Sequence, residues 1–180
     1  DSGKLLRVGV TLYNPTYTEA QGFSNYHLYT ERAPDLRAAI KASTALAPFF
    51  EPVTMIEGIG VDGGVQAITP IKAAIDAGAT EIDVLVCYPK YLLYPRAEPS
   101  VWNDTLYNID LMVNRLTWID IDRTYEVNAL VRAGHSAKRE IKLNVIHPAT
   151  DLDASALEFN LLLGQRLQRQ GWEDAKLVLQ

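Results

Sequence analysis

An aspartate delivered by an apolar, β-branched approach into two glycines, Asp62-Gly63-Gly64, is the strongest chemical signal in this sequence. The approach is Ile59-Gly60-Val61. A carboxylate at the end of such a segment is poorly placed for a core and well placed for a site, where it can act as a general base. Asp-Gly is also a common dipeptide of solvated turns, so the tripeptide alone leaves both readings open. A base needs a nucleophile within hydrogen-bond reach. Gly22-Phe23-Ser24-Asn25-Tyr26 imitates a G-x-S-x-G elbow but carries Tyr26 where the second glycine belongs. An elbow needs small residues to hold its strained turn. Ser24 therefore reads as a strand or turn hydroxyl, and Ser43 as a structural residue at a helix end.

The remaining reactive side chains carry weaker patterns. His27 falls in an expected strand, His135 just past a helix-ending glycine and His147 at a strand end. None shares metal-ligand spacing with another His or with Cys87. A Ser-His-Asp triad assembled from distant positions has no local signature and stays open. Asp120, Asp122 and Glu126 lack the spacing of a calcium loop and read as charges on the outer face of a helix. Tyr88, Tyr91 and Tyr94 lie in a proline-rich loop and read either as the lining of an acyl-chain entrance or as aromatics packed on their own domain.

The elements that must position Asp62 follow from periodicity. Leu6, Val8, Val10 and Leu12 alternate with Arg7, Gly9 and Thr11, the pattern of a half-buried strand. Asn14-Pro15 begins a turn, and Phe23, Tyr26, Leu28 and Tyr29 suggest a returning strand, so residues 5–30 form an antiparallel hairpin. Pro34 suits a helix start, and Leu36, Ile40 and Ser43 share one face of a helix that Pro48 ends. Phe49, Phe50, Pro52 and Val53 form a connector. After the Asp-Gly-Gly turn, Thr69 caps a helix beginning at Pro70, with Ile71, Ala74 and Ile75 inward and Gly78 as its stop. The apolar run Ile82–Cys87 has the signature of a strand buried on both faces. Trp102, Leu106, Ile109, Val113 and Leu116 step as a helix, and the signal resumes to Gly134, as one bent helix or two. Residues 141–146 form another strand, and Asp153 caps a last helix carrying Leu157, Leu161, Leu162 and Leu167, closed by Gly171. The expected fold is α/β, layered, with a mostly parallel central sheet flanked by helices, in one domain spanning 1–180.

Composition removes several classes. At 48% hydrophobic and 22% charged residues the chain is globular rather than disordered. A net charge of −5 argues against a nucleic-acid partner, whose phosphates require clustered Lys and Arg. Cys87 is the single cysteine, so an intrachain disulfide is excluded. No apolar run approaches the ~18 residues of a membrane span. No signal-like segment opens the sequence, which favours a cytoplasmic location. The start at Asp1 rather than Met is consistent with a processed or truncated product.

The whole run from Ala42-Ser43 through Pro48, Pro52, Asp62-Gly63-Gly64 and Thr69-Pro70-Ile71 resembles the patatin-like lipid acyl hydrolases. Their second catalytic residue is the Asp of an Asp-Gly-Gly or Asp-Gly-Ala turn. His147-Pro148, Asp151-Leu152-Asp153, Ser155-Ala156-Leu157, Phe159 and Gly171 resemble the end of such domains, so the likeness covers most of residues 5–178. It implies a patatin-like fold, incomplete at its N-terminus, and serine ester hydrolysis of lipid acyl groups by a Ser-Asp dyad with no cofactor or metal. Asp62 would be the catalytic base, and Gly63 and Gly64 would let the backbone turn close to the nucleophile. The elbow serine lies upstream of the Asp in that family and is not in this chain. The alternative is a non-catalytic patatin-like interaction domain. The implied partners are a lipid or acyl-ester substrate, peripheral membrane contact, and either self-association or a complementary N-terminal fragment covering exposed sheet edges.

Overall fold

The computed structural model describes residues 5–13, 24–47, 49–92, 100–150, 152 and 160–179. Backbone contacts divide the chain into two compact units, Asp1–Pro70 and Ile71–Gln180. Both mix helices and strands, so the α/β class expected from the sequence holds.

In the first unit, β1 (Arg7–Tyr13) pairs antiparallel with β2 (Ser24–Thr30), with Val10 opposite His27. This is the expected hairpin; its turn at Asn14-Pro15 lies outside the described residues. Helix α1 (Leu36–Ala42) follows, then β3 (Val53–Met55) and β4 (Gly58–Asp62), which ends in a 3-10 turn over Gly63–Val65. Strand order is β2-β1-β4-β3, all antiparallel. Val10 and Leu12 of β1, fully buried, pack with Tyr29, Ala39, Ala42, Ala45, Val53 and Met55.

Three details of this unit differ from the sequence reading. The inner face of α1 is Ala39 and Ala42, and Ile40 is 48% exposed. The reason is steric: a Cβ on Gly60 of β4 would stand 2.9 Å from the Ala42 Cβ, so helix and strand approach too closely for larger residues. Helix α1 stops at Ala42, before the expected Pro48, which lies outside the described residues. Val53 belongs to strand β3 rather than to a connector.

In the second unit, α2 (Ile71–Asp76) leads through Gly78 to β5 (Glu81–Leu85). Gly78 has φ +104°, and the Ala79 N–H donates to the Ala74 carbonyl, so the expected glycine stop is present. A single helix, α3 (Val101–Arg132), spans 32 residues, settling the choice between one and two helices. It returns the chain to β6 (Lys142–Ile146), parallel to β5. Ile71, Val84, Trp118 and Ile121 form this unit's buried cluster. Helix α4 (Leu161–Val178) is capped by Asn160, whose side chain accepts from Leu162 N–H and Leu163 N–H. It runs through Gly171, which therefore does not close it. The expected cap Asp153 lies outside the described residues.

The expectation of a mostly parallel sheet needs correction. Among the described residues β5–β6 is the one parallel pairing, and the other three are antiparallel. Parallel neighbours need a crossover, which α3 supplies; the two-residue link between β3 and β4 permits only a hairpin. Strand β5 is also not buried on both faces. Ile82 and Val84 turn inward, whereas Leu85 is 76% exposed. The outer face carries a polar network beside the exposed Leu85: Glu81 accepts from Lys142 and Asn144, and Asp83 accepts from Asn144. Asp83, the second residue of the Ile82–Cys87 run, already marked this alternation with Glu81, but the four apolar residues from Val84 to Cys87 outweighed it. No helix among the described residues is long and apolar enough to cross a membrane.

Candidate active site

Asp62 is the last residue of β4, opposite Val10 on β1. Its backbone N–H donates to the Ala45 carbonyl (3.2 Å), tying the end of β4 to the segment leaving α1. Its side chain caps the 3-10 turn: Oδ1 accepts from Gly64 N–H at 2.7 Å. A carboxylate accepting a backbone N–H is held in one orientation by a charge-assisted bond. Asp62 is half-buried, and among the described residues no hydrogen bond or ion pair engages Oδ2. One oxygen is thus fixed by the turn.

The two glycines differ in what surrounds them. A Cβ on Gly63 would stand 2.5 Å from the Gly9 carbonyl oxygen and 3.1 Å from the Val10 nitrogen, both backbone atoms of β1. No side chain fits there. A Cβ on Gly64 would press on Asp62 Oδ1, at 3.0 Å, and touch the Ile68 side chain at an ordinary 3.9 Å, so a small shift of that carboxylate would admit it. Position 63 is obligately glycine and position 64 is tolerant.

The other candidates separate from Asp62. His27 and Asp62 both lie opposite Val10, on the two sides of β1, so two strand spacings put them about 10 Å apart. His27 Nδ1 instead faces Glu57 Oε2 at 3.5 Å. Ser24 opens β2 opposite Tyr13, and Ser43 caps the C-terminal end of α1. In the second unit, His135 follows Gly134 and is exposed. His147 packs edge-on against Trp118 (5.2 Å), and its Nδ1 donates to the Pro148 carbonyl (2.9 Å). Asp120, Asp122 and Glu126 lie on α3; burial pushes the Asp120 carboxyl up, partly offset by Arg123, and Asp122 is 4.0 Å from Lys90. Among the described residues no group of three or more His, Cys, Asp or Glu can hold a metal ion. Tyr88 donates to Asp110 Oδ1 (2.9 Å), and its phenol is pushed far above its usual range, by burial first and then by that carboxylate. Tyr91 is 80% exposed, and Tyr94 lies outside the described residues.

Sequence reasoning missed the residues that seat the turn: Gly9, whose carbonyl excludes a side chain at 63, and Ala45, whose carbonyl anchors Asp62. A glycine inside an alternating strand often marks close backbone approach, and Gly9 carried that signal. Ala45 carried none. No protein-family model matches the chain, and no curated protein matches it.

Proposed function

We propose that this chain is the C-terminal part of a patatin-like serine lipid acyl hydrolase domain and supplies, in Asp62, the base of a Ser-Asp dyad. The observation that carries this reading is the asymmetry of the two glycines. The family's turn is Asp-Gly-Gly or Asp-Gly-Ala, fixed at its first glycine and variable at its second. The contacts here follow the same rule: backbone of β1 forbids a side chain at Gly63, while at Gly64 the one tight neighbour is the Asp62 carboxylate, a side chain that can shift. A turn free in solvent would not carry the constraint at its first glycine.

In the reaction so assigned, Asp62 Oδ2 accepts the serine proton as the hydroxyl oxygen attacks the acyl carbonyl. The tetrahedral oxyanion is stabilised by backbone N–H donors of a glycine-rich loop. The proton then passes to the leaving alkoxide, and water releases the acyl group by the same route. The serine and the oxyanion loop belong to a longer parent, whose mostly parallel sheet β5 and β6 would join. Leu85 on β5 and Leu161 and Leu162 on α4 are each more than three-quarters exposed, which supports self-association or a complementary N-terminal fragment as the cover. The substrate class is a lipid or acyl ester at a membrane surface.

The same exposed apolar residues favour a second reading, a non-catalytic patatin-like interaction domain. An in-frame G-x-S-x-G in the upstream coding sequence decides between them. Fluorophosphonate labelling tests the assignment in protein: this chain should take up no label, and a parent with the elbow should be labelled at that serine. Stoichiometric labelling of Ser24 or Ser43 would overturn the dyad.

A further inference from the structure

The seat beneath Asp62 continues one strand further. Tyr26 on β2 lies opposite Thr11 of β1, and aromatic side chains reach diagonal cross-strand neighbours. Its ring does so: a Cβ on Gly9 would overlap the Tyr26 phenol oxygen and stand 2.9 Å from ring carbon Cζ and 3.0 Å from Cε2. The hydroxyl end of the ring therefore lies over the bare backbone of Gly9. The next layer is the Gly9 carbonyl against Gly63, and the last is Gly64 N–H on the Asp62 carboxylate. Tyr26, Gly9, Gly63 and the Gly64–Asp62 bond form one continuous stack. Tyr26 is half-buried, and that burial raises its phenol above the usual range, so the ring is packed rather than dangling.

We infer that Tyr26 and Gly9 are positioning residues for Asp62: the ring stiffens β1 at the one point where the strand has no side chain, and that point is the floor of the Asp-Gly-Gly turn. A glycine in a strand interior loosens it, through backbone entropy and the absence of a packing side chain. Tyr26 offsets both at Gly9. The contact is packing rather than hydrogen bonding: the phenol oxygen comes nearest to Gly9, ring carbons Cζ and Cε2 follow, and the ring carbons keep the backbone covered without the hydroxyl. The role rests on Asp62 being the base, but its physical content, the fixed orientation of a carboxylate, is measurable without any activity.

Amide hydrogen exchange by NMR on the full 180-residue chain reads it directly. The reporter is Gly64 N–H, and the controls are the Val53 and Met55 amides of β3, on the far side of β4 in the same sheet. In Tyr26→Ala, Gly64 should exchange about tenfold or more faster relative to the β3 controls, as local opening of the turn requires. Tyr26→Phe should restore wild-type protection. Uniform acceleration at all sites, unchanged Gly64 protection, or a phenylalanine variant that behaves like alanine would each overturn the inference. Should Tyr26→Ala fail to fold, Gly9→Ala makes the same test, because the added methyl must displace the ring; wild-type Gly64 protection there would overturn it equally. These outcomes are independent of whether Asp62 proves catalytic, which labelling and kinetics decide.

Discussion

The turn after β4 and the turn after α2 both use glycine, for opposite reasons. Gly78 has φ +104°, and a Cβ there would meet nothing within 4 Å. Its glycine is required by the backbone conformation, as at any helix stop. Gly63 is not among the positive-φ glycines, but a Cβ would strike the Gly9 carbonyl and Val10 backbone. Its glycine is required by what is packed against it. A turn that only reverses the chain needs conformational freedom; a turn seated against a second strand needs space. The difference marks the Asp62 turn as packed on β1, which no tally of Asp-Gly dipeptides would have shown.

Alanine substitution sharpens the contrast, because the two requirements fail differently. Gly63→Ala should be the most damaging, costing about 3 kcal/mol as an overpacked site whose neighbours are backbone and cannot swing aside. A urea midpoint close to wild type would show that β1 and the turn are not in contact in solution. Gly78→Ala comes next, at about 1–2 kcal/mol, the cost of a left-handed conformation for a residue with a Cβ. Urea unfolding reads this too, and a loss as large as that of Gly63→Ala would erase the distinction. Gly64→Ala should be mildest, below about 1 kcal/mol, within the range of ordinary surface changes. Its signature is local: the Asp62–Gly64 bond, 2.7 Å in the native turn, should lengthen and the Gly64 amide resonance should move. A Gly64→Ala variant that unfolds would place position 64 under the same constraint as 63 and remove the parallel with the Asp-Gly-Ala turn.

Much of the frame was legible in the sequence, and the misses share a cause. The β1–β2 hairpin, the Gly78 stop and the β6 strand follow from alternation and local glycine chemistry, which act over a few residues. The inner face of α1 was misread because Ile40 outranks Ala39 and Ala42 in hydrophobicity, while the close approach of Gly60, some twenty positions away, admits only small residues. The two-sided burial expected of β5 failed because its outer face pairs with Lys142 and Asn144, about 60 positions distant. Asp62 itself was visible as a motif. Its support was legible only in part: Gly9 stood out as a glycine inside an alternating strand, whereas Ala45 meets Asp62 through a backbone hydrogen bond and Tyr26 meets Gly9 through sheet register, and neither is written in local spacing. The expected parallel sheet reduces to β5–β6 among the described residues, since only α3 supplies a crossover between paired strands.

The central claim is that Asp62 is a general base, and single-turnover acylation of an elbow-bearing parent by a p-nitrophenyl ester tests it most directly. Asp62→Asn keeps the shape of the side chain, and its amide oxygen can still accept from Gly64 N–H, so the turn should survive. The serine would lose its proton acceptor, and the acylation rate should fall by roughly 10²–10⁴, the range for loss of a general base, with substrate binding little changed. An Asp62→Asn variant that acylates at a near wild-type rate would show that another group activates the serine, and the assignment of Asp62 would be wrong.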